Sequence, residues 1–193
     1  AFSKQYNGFL TLEDLAEYEP EWVEPISISY RGYDVWEIPP NGQGLVALMA
    51  LNIMNGFDVP NVPDVETYHR QIEAMKLAFA DGKAYIADRR YMNYRVDELL
   101  SESFAAMRRA QIGTEALTPE PGTPPKGGTV YLAAADGEGN MVSFIQSNYM
   151  GFGSGLVVPG TGIALHNRGH NFVFDENHPN GLAPRKKPYH TII

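Results

Sequence analysis

The sequence predicts an α+β fold in which helices and strands occupy separate parts of the chain. Residues 1–113 carry apolar side chains at helical spacing, whereas 129–193 begin with short alternating runs typical of strands. Between them, 114–128 contain four prolines and three glycines, which break regular structure and leave little apolar surface to pack. We therefore expect a mainly helical part, a flexible exposed linker and a mainly strand part.

The composition is that of a globular chain. Its 193 residues are 44% hydrophobic, enough for one domain or two small lobes around a shared core. The formal net charge of −8 is spread along the sequence, so neither nucleic acid nor an anionic membrane is expected as a partner. The absence of cysteine excludes disulfides, thiolate metal sites and a cysteine nucleophile. No cofactor and no metal site is predicted.

The ends of the chain indicate a piece of a longer protein. No apolar stretch approaches the roughly 20 residues that span a bilayer, and the first residues lack a signal-peptide layout, so we expect a soluble chain. The sequence starts without Met and stops within an apolar run at Ile193. The compartment stays open between cytoplasmic and extracytoplasmic, because we expect the deciding N-terminus to lie upstream.

Two elements are predicted before residue 60. Residues 25–38 alternate around Arg31 and Gly32, which predicts a hairpin with a two-residue turn. From Gly44 onward the apolar spacing predicts a helix of the core, with Gly56 as its C-terminal stop.

Two further helices are predicted before the linker. Asp64 is placed to cap a long helix, and a third helix is expected over 101–111 with Gly113 ending it. His69 is interpreted as structural. The side chains expected to face inward are Tyr68, Ile72, Met75, Phe79 and Ile86 on the long helix, and Phe104 and Met107 on the third.

The part after the linker is expected to contain a second hairpin. Strands are predicted over 129–135 and 141–146 around a turn at 136–140, followed by a glycine-rich loop at 151–155. The turn resembles a calcium loop, but Ser147 stands where a bidentate Glu would be required, so a plain hairpin turn is preferred. The glycine-rich loop lacks the Lys-Ser or Lys-Thr of a phosphate cradle and is interpreted as a tight turn.

The junction between Gly128 and Thr129 carries the chemical hypothesis. Gly128 has no Cβ, which leaves its carbonyl open to attack by the hydroxyl of Thr129. An acyl shift from nitrogen to oxygen and hydrolysis would free Thr129 as a new N-terminus, whose α-amine can act as base for its own hydroxyl. From the residues alone, a threonine that simply begins a strand is the alternative.

Several stretches resemble the γ-glutamyltransferase family of N-terminal-nucleophile hydrolases, including its acylase-like members. The resemblance covers nearly the whole chain and implies an αββα sandwich formed by a precursor that splits into a large and a small subunit. Residues 1–113 would then end the large subunit and 129–193 would begin the small one. The matching stretches are 10–18, 30–33, 73–81, 136–140 and 152–155.

The resemblance implies roles for residues around the nucleophile. Thr129 aligns with the family's nucleophile, and Ser147 takes the place of a second hydroxyl residue that supports it. The family holds the α-amino group of its donor with an Asn and an Asp, where this sequence has Tyr149 and Asn171. The expected acidic partner is therefore absent from the aligned position.

Other substrate-binding positions also differ from the family. Arg168 replaces a neutral residue, and Tyr189 and His190 stand where relatives often carry two serines. Arg168 is expected either to point into the pocket, where it would favour an acyl chain that ends in a carboxylate, or to pair with Asp175 or Glu176 at the surface.

The predicted function is that of a γ-glutamyltransferase-like amidohydrolase or acyltransferase acting on a small γ-glutamyl or acyl-amide substrate. A glutaryl-type, cephalosporin-like acylase on the same machinery is the first alternative, and a non-catalytic homologue with a binding role is the second. The resemblance places the donor-gripping Arg before Ala1 and the oxyanion-hole glycines after Ile193. The chain alone is therefore expected to be inactive, since losing one oxyanion donor costs about 100-fold to 1000-fold in rate.

Overall fold

The computed structural model describes residues 2–117 and 127–192, which form two compact units. One unit contains the described residues of Ala1–Val23 and Gly127–Asn167, and the other contains those of Glu24–Lys126 and Arg168–Ile193. The units combine segments from both sides of the linker. These units are defined by packing, whereas the predicted large and small subunits are defined by cleavage of the chain. The boundary between the subunits stays a prediction.

The described residues contain a mixture of short and long elements. The helices are α1 Phe2–Gln5, α2 Leu12–Glu17, α3 Gly44–Met54, α4 Val65–Tyr85, α5 Val96–Leu99 and α6 Glu102–Arg109. The strands are β1 Ile26–Tyr30, β2 Tyr33–Glu37, β3 Gly127–Ala135 and β4 Met141–Met150. Two 3-10 helices span Arg89–Tyr91 and Arg168–Asn171. The strands pair as two separate antiparallel sheets, β1 with β2 and β3 with β4.

The first hairpin is confirmed. β1 and β2 pair antiparallel with Tyr30 opposite Tyr33, which leaves Arg31 and Gly32 as the two-residue turn. Their φ angles of 52° and 86° are left-handed, as a turn that matches the twist of the strands requires. Glycine supplies this conformation without strain, which explains the choice of residue at position 32.

The core of the second unit forms where α3 packs on α4. Leu45, Leu48 and Ile53 of α3 are almost fully buried, so the prediction of a core helix is confirmed. At Gly82 of α4, an added Cβ would lie 2.5 Å from Cγ2 of Val46. The two helices therefore approach each other closely because α4 presents small residues to α3.

The inward stripe predicted for α4 is wrong over its first half. Tyr68 and Ile72 are 55% and 58% exposed, and Met75 is 41% exposed, whereas Ile86 at the end is buried. The face turned to the core instead carries Thr67, Glu73, Ala74, Leu77, Ala78, Asp81 and Gly82. Close packing against α3 selects the small residues of this face, Ala74, Ala78 and Gly82, which a prediction based on large apolar residues does not detect.

α3 stops just before Gly56, as predicted, with Asn55 as its C-cap, although Gly56 is not left-handed. An added Cβ at Gly56 would overlap the guanidinium group of Arg109. That guanidinium donates from Nε to the carbonyl of Ile53 at 2.8 Å and from Nη2 to the carbonyl of Asn52 at 3.0 Å. Arg109 thus satisfies carbonyls at the end of α3, and Gly56 provides its space.

The start of α4 is as predicted, whereas the inward face of α6 is only partly so. Asp64 Oδ1 accepts the Thr67 N–H at 2.8 Å, which confirms the cap. Phe104 of α6 is partly buried against the core, but Met107 is exposed and Ala105 is buried in its place. The helix ends at Arg109, before the predicted Gly113.

Arg108 explains why Met107 faces outward. Its guanidinium forms two 2.8 Å hydrogen bonds with Asp81 of α4, and Ala105 lies three residues earlier on the same helical face. Met107 occupies a different face. Burial opposes ionisation of Asp81 and raises its pKa, although Arg108 acts in the opposite direction.

In the first unit, the β3–β4 hairpin confirms the predicted strands and turn. Asp136 accepts the N–H groups of Glu138 and Asn140 and the Asn140 side-chain amide. These bonds, led by the Asn140 side chain, lower the pKa of Asp136. After Met150 the chain continues in turns, with Gly151, Gly153 and Gly155 at positive φ, so the strand content beyond that point is lower than predicted. None of the described helices is long and apolar enough to cross a membrane.

Candidate functional site

The register of β3 and β4 places the predicted nucleophile position beside its predicted support. Thr129 pairs with Ser147, and Gly127 pairs with Met150. In an antiparallel pair, residues directly opposite each other project to the same face of the sheet. Positions 129 and 147 therefore share one face of the hairpin.

A β-bulge lies directly opposite the predicted cleavage junction. Between the two pairs, β3 contributes the single residue Gly128, whereas β4 contributes Asn148 and Tyr149. Tyr149 has a φ of 79°, which is left-handed and uncommon for a bulky residue. Bulges of this type usually place glycine at the left-handed position, and they occur often beside active sites.

Hydrogen bonds hold the bulge at several points. The Tyr149 N–H donates to Ser147 Oγ at 2.9 Å, and both residues are half-buried. The Met150 N–H donates to Asn167 Oδ1 at 3.1 Å, and the Asn167 N–H donates to the Asn148 carbonyl at 3.2 Å. Asn167 thus fixes the outer side of the bulge, a contribution that the sequence analysis did not identify.

In the second unit, Arg168 is buried in the 3-10 helix that it begins. Its side chain is 3% exposed, and its Nε donates to Thr191 Oγ1 at 3.2 Å. Asp175 and Glu176 are exposed. Arg168 thus lies below the surface and reaches the C-terminal segment through Thr191, while its place relative to the substrate stays a prediction.

Asn171 and Tyr189 meet in what we call the asparagine cluster, formed by Asn171, Asn180 and Tyr189. Asn171 Nδ2 donates to the Tyr189 carbonyl at 2.9 Å, and buried Asn180 accepts the Tyr189 N–H at 2.9 Å. Asn180 Nδ2 also donates to the Asn171 carbonyl at 2.6 Å. Both backbone groups of Tyr189 are thus bound by asparagine side chains.

The turn over 39–44 contacts the other side of the same segment. The His190 N–H donates to the Asn41 carbonyl at 2.9 Å, and the Tyr189 hydroxyl donates to Gln43 Oε1 at 3.0 Å. His190 Nδ1 accepts the N–H of Ile192 at 3.4 Å. The side chain of Tyr189 is buried in the core, whereas that of His190 is half-buried.

Asp88 anchors the segment just before Tyr189. It accepts from the Arg90 side chain at 3.0 and 2.7 Å and from the Lys187 N–H at 3.1 Å. These hydrogen bonds, led by Arg90, outweigh burial and lower the pKa of Asp88 to about 2. Asp88 therefore stays ionised at neutral pH and holds the backbone at Lys187.

The linker begins at what we call the connector clamp, formed by Glu73, Lys76 and Leu117. Buried Glu73 accepts the Leu117 N–H at 3.0 Å, and Lys76 donates both to Glu73 at 2.8 Å and to the Leu117 carbonyl. Burial opposes ionisation of Glu73, but its hydrogen bonds to Lys76 and Leu117 prevail and lower its pKa. Of the rest of the predicted linker, 118–126 lie outside the described residues, and Gly127 and Gly128 belong to β3 rather than to a linker.

The predicted site residues thus form two groups, each within one unit. Positions 128, 129, 147 and 149 meet at the bulge of the first unit, and 168, 171, 189 and 190 lie along the C-terminal segment of the second. Among the residues missed, Asn180 stands in a His-Pro-Asn-Gly stretch that indicates an ordinary turn. Asparagine is common in turns for local reasons, so only the long-range contacts reveal its role.

Comparisons with known proteins find similarity to one family over the whole chain. The family model described as Gamma-glutamyltranspeptidase matches residues 1–193. The glutathione hydrolase-like YwrD proenzyme of Bacillus subtilis is 40% identical over 192 residues, which are 98% of this chain and 36% of that protein. The oxamate amidohydrolase proenzyme of Klebsiella pneumoniae is 37% identical, over 95% of this chain and 35% of that protein.

A solved structure is also similar. The cephalosporin acylase from Bacillus halodurans has a TM-score of 0.85 and 66% sequence identity, over 99% of this chain and 35% of its own. The chain spans about a third of the length of the relatives that it matches.

Proposed function

Because the chain belongs to the gamma-glutamyltranspeptidase family, we propose that the full-length protein cleaves itself between Gly128 and Thr129 and then forms an acyl-enzyme on Thr129. The family includes amidohydrolases and acylases, and the names of several relatives describe proenzymes. The observation that carries the proposal is the register that pairs Thr129 with Ser147.

The cleavage step uses the residues of the junction itself. The Thr129 hydroxyl attacks the Gly128 carbonyl carbon, and the carbon–nitrogen bond breaks as the nitrogen takes a proton, which leaves an ester. Water then hydrolyses the ester and releases Gly128 as a carboxylate and Thr129 with a free α-amine. With an unperturbed pKa of about 8, that amine is suited to accept the hydroxyl proton in later turnovers.

The same hydroxyl performs the acyl transfer. The proposed Thr129 alkoxide attacks the substrate amide, the amine leaves with a proton, and the acyl group remains as an ester. Water or an acceptor amine then takes the acyl group. Ser147, opposite in the register, is proposed to donate a hydrogen bond that orients the attacking oxygen.

The larger architecture belongs to the same proposal. We assign the full-length protein an αββα sandwich made of a large and a small subunit, supported by the likeness to the cephalosporin acylase structure. The described residues contribute helices and two hairpins to it. Tyr149, Arg168, Asn171, Tyr189 and His190 are proposed to lie near the bound acyl group, on the strength of the family resemblance.

Two substrate classes follow from different observations. The family description and the names of the glutathione hydrolase relatives favour a γ-glutamyl donor. The 66% identity to a cephalosporin acylase favours an acyl amide without an α-amine, such as a glutaryl amide. The proposed place of Arg168 near the acyl group supports the second class, since a cation there repels the ammonium of a γ-glutamyl group and attracts a carboxylate.

The acyl-enzyme can be detected directly. Processed full-length enzyme is mixed with glutaryl or γ-glutamyl p-nitroanilide, quenched in acid within the burst phase and mapped by peptide mass. We expect the acyl mass on the peptide that begins at Thr129, and Ser147→Ala should lower the acylation rate while the adduct stays on the same residue. An adduct on another residue would contradict the proposal, and an uncut, inactive full-length protein would favour the non-catalytic alternative.

A further inference from the structure

Tyr149 combines an unfavourable backbone with a contact to the proposed support residue. Its φ of 79° lies in the left-handed region, which few aromatic residues adopt unless the surrounding fold requires it. The fold supplies that requirement through the bonds that Asn167 makes to Met150 and Asn148 on either side. A residue held against its preference beside the cleavage junction suggests that the conformation itself has a role.

The conformation determines where the Tyr149 N–H points. At a bulge the regular ladder is interrupted, so one backbone N–H can turn toward a side chain instead of the opposite strand. Here it donates to Ser147 Oγ at 2.9 Å. A hydroxyl carries one O–H and two lone pairs, so a fixed donor to one lone pair restricts both the rotamer and the direction of the O–H.

The bulge also determines what lies across from the junction. Two residues of β4 oppose the single residue Gly128, so the register changes between Gly127 and Thr129. The register is unbroken from the turn at 136–140 to the pair of Thr129 with Ser147, and it changes by one residue just beyond that pair. Without the bulge that pair would remain, but Gly127 would pair with Tyr149 instead of Met150, and the Tyr149 backbone would become part of the regular ladder.

We propose that Tyr149 serves self-cleavage and acyl transfer through its backbone: its left-handed conformation maintains the bulge opposite Gly128 and holds the Ser147 hydroxyl toward position 129. Tyr149 is thus a positioning residue that acts through Ser147. This inference rests on the proposed function, and it names a residue that determines the rates of self-cleavage and acyl transfer. It differs from the substrate contact that the family resemblance implies for position 149.

The test separates the backbone of Tyr149 from its ring in the full-length precursor. Tyr149→Gly and Tyr149→Asn remove the ring but tolerate a left-handed backbone, whereas Tyr149→Val strongly disfavours it. We expect the first two to cleave themselves within about threefold of the wild-type rate and the valine variant to be slower by at least about tenfold. Arg31→Val is the matched control, because Arg31 has a φ of 52° in the other hairpin and should leave the rate unchanged.

A double variant tests whether the effect passes through Ser147. If Tyr149 positions Ser147, then Tyr149→Val should slow cleavage much less in a Ser147→Ala background than in the wild type. Thermal unfolding identifies variants that fail to fold. Should the valine variant be unfolded, the glycine and asparagine variants still decide between backbone and ring.

Each outcome bears on one claim. Loss of cleavage in the glycine and asparagine variants would overturn the inference, because it would assign the role to the ring. An equal effect of Tyr149→Val with and without the Ser147 hydroxyl would overturn it as well. A wild-type precursor that never cleaves would instead refute the proposed function, so the two failures are distinguishable.

Discussion

Asp88→Asn is expected to loosen the C-terminal segment that carries Tyr189 and His190. Asp88 is 4% exposed, and it accepts hydrogen bonds from the Arg90 side chain and from the Lys187 N–H. The amide removes the negative charge and replaces one acceptor oxygen with a donor group. The variant therefore leaves both partners of the carboxylate incompletely satisfied.

The magnitude follows from the pKa. A pKa lowered from 3.8 to about 2 corresponds to about 2 kcal/mol of preference for the charged form. Because the Arg90 side chain is 64% exposed, solvent screens part of its interaction with Asp88. We therefore expect Asp88→Asn to lower the free energy of unfolding by about 1–2 kcal/mol. Since folding depresses this pKa, the contribution is complete above about pH 4 and is lost as the pH falls toward 2.

Hydrogen exchange of the full-length enzyme at neutral pH measures this effect locally. Peptides covering 185–192 should exchange about 5-fold to 30-fold faster in Asp88→Asn than in the wild type. Asp97→Asn is the matched control, since Asp97 also pairs with an arginine two residues away, Arg95, but on the exposed surface. Equal exchange in the two variants, or a thermal penalty of Asp88→Asn that persists unchanged down to pH 2, would refute the reasoning.

Three further changes test the packing and the substrate assignment. Gly56→Ala should cost about 1–3 kcal/mol by displacing the guanidinium that caps α3, whereas Gly113→Ala, with open space around its Cβ, should change the thermal midpoint little. Lys76→Ala opens the connector clamp and leaves a buried carboxylate with one partner fewer, so we expect about 1–3 kcal/mol of destabilisation and faster proteolysis at residues 114–126. The wild-type enzyme should have a higher kcat/KM for a glutaryl anilide than for a γ-glutamyl anilide. The double variant Arg168→Gln/Asn171→Asp should lower the ratio of these two specificity constants. A γ-glutamyl preference that the double change leaves unmoved would contradict the assignment.

Local signals in the sequence predicted the elements that short-range chemistry determines. The turn at Arg31 and Gly32, the cap at Asp64 and the turn that begins at Asp136 each depend on backbone preferences or on bonds within four residues. The proposed cleavage junction is predicted from a linker rich in proline and glycine that runs into an apolar segment at Thr129. Such signals are readable without knowledge of the packing.

The predictions from the sequence were wrong or incomplete for the buried faces of helices and for contacts between residues far apart in the chain, because packing determines both. Met75 of α4 was expected inside because it is large and apolar, but close approach to α3 selected the small residue Ala74. Gly56 follows the C-cap of α3 as predicted, but the space that it leaves for Arg109 depends on a residue far away in the sequence. The left-handed Tyr149 runs against every local preference for an aromatic residue, so only the strand register reveals the bulge.

Self-cleavage can be followed by the intact mass of the full-length precursor during incubation, for the wild type and for Thr129→Ala. We expect the wild type to separate into two chains, one of which begins at Thr129, while the alanine variant stays whole. A chain that begins at residue 129 in the alanine variant would show that an outside protease makes the cut. A wild-type enzyme that is active while the bond between Gly128 and Thr129 remains intact would also contradict the account.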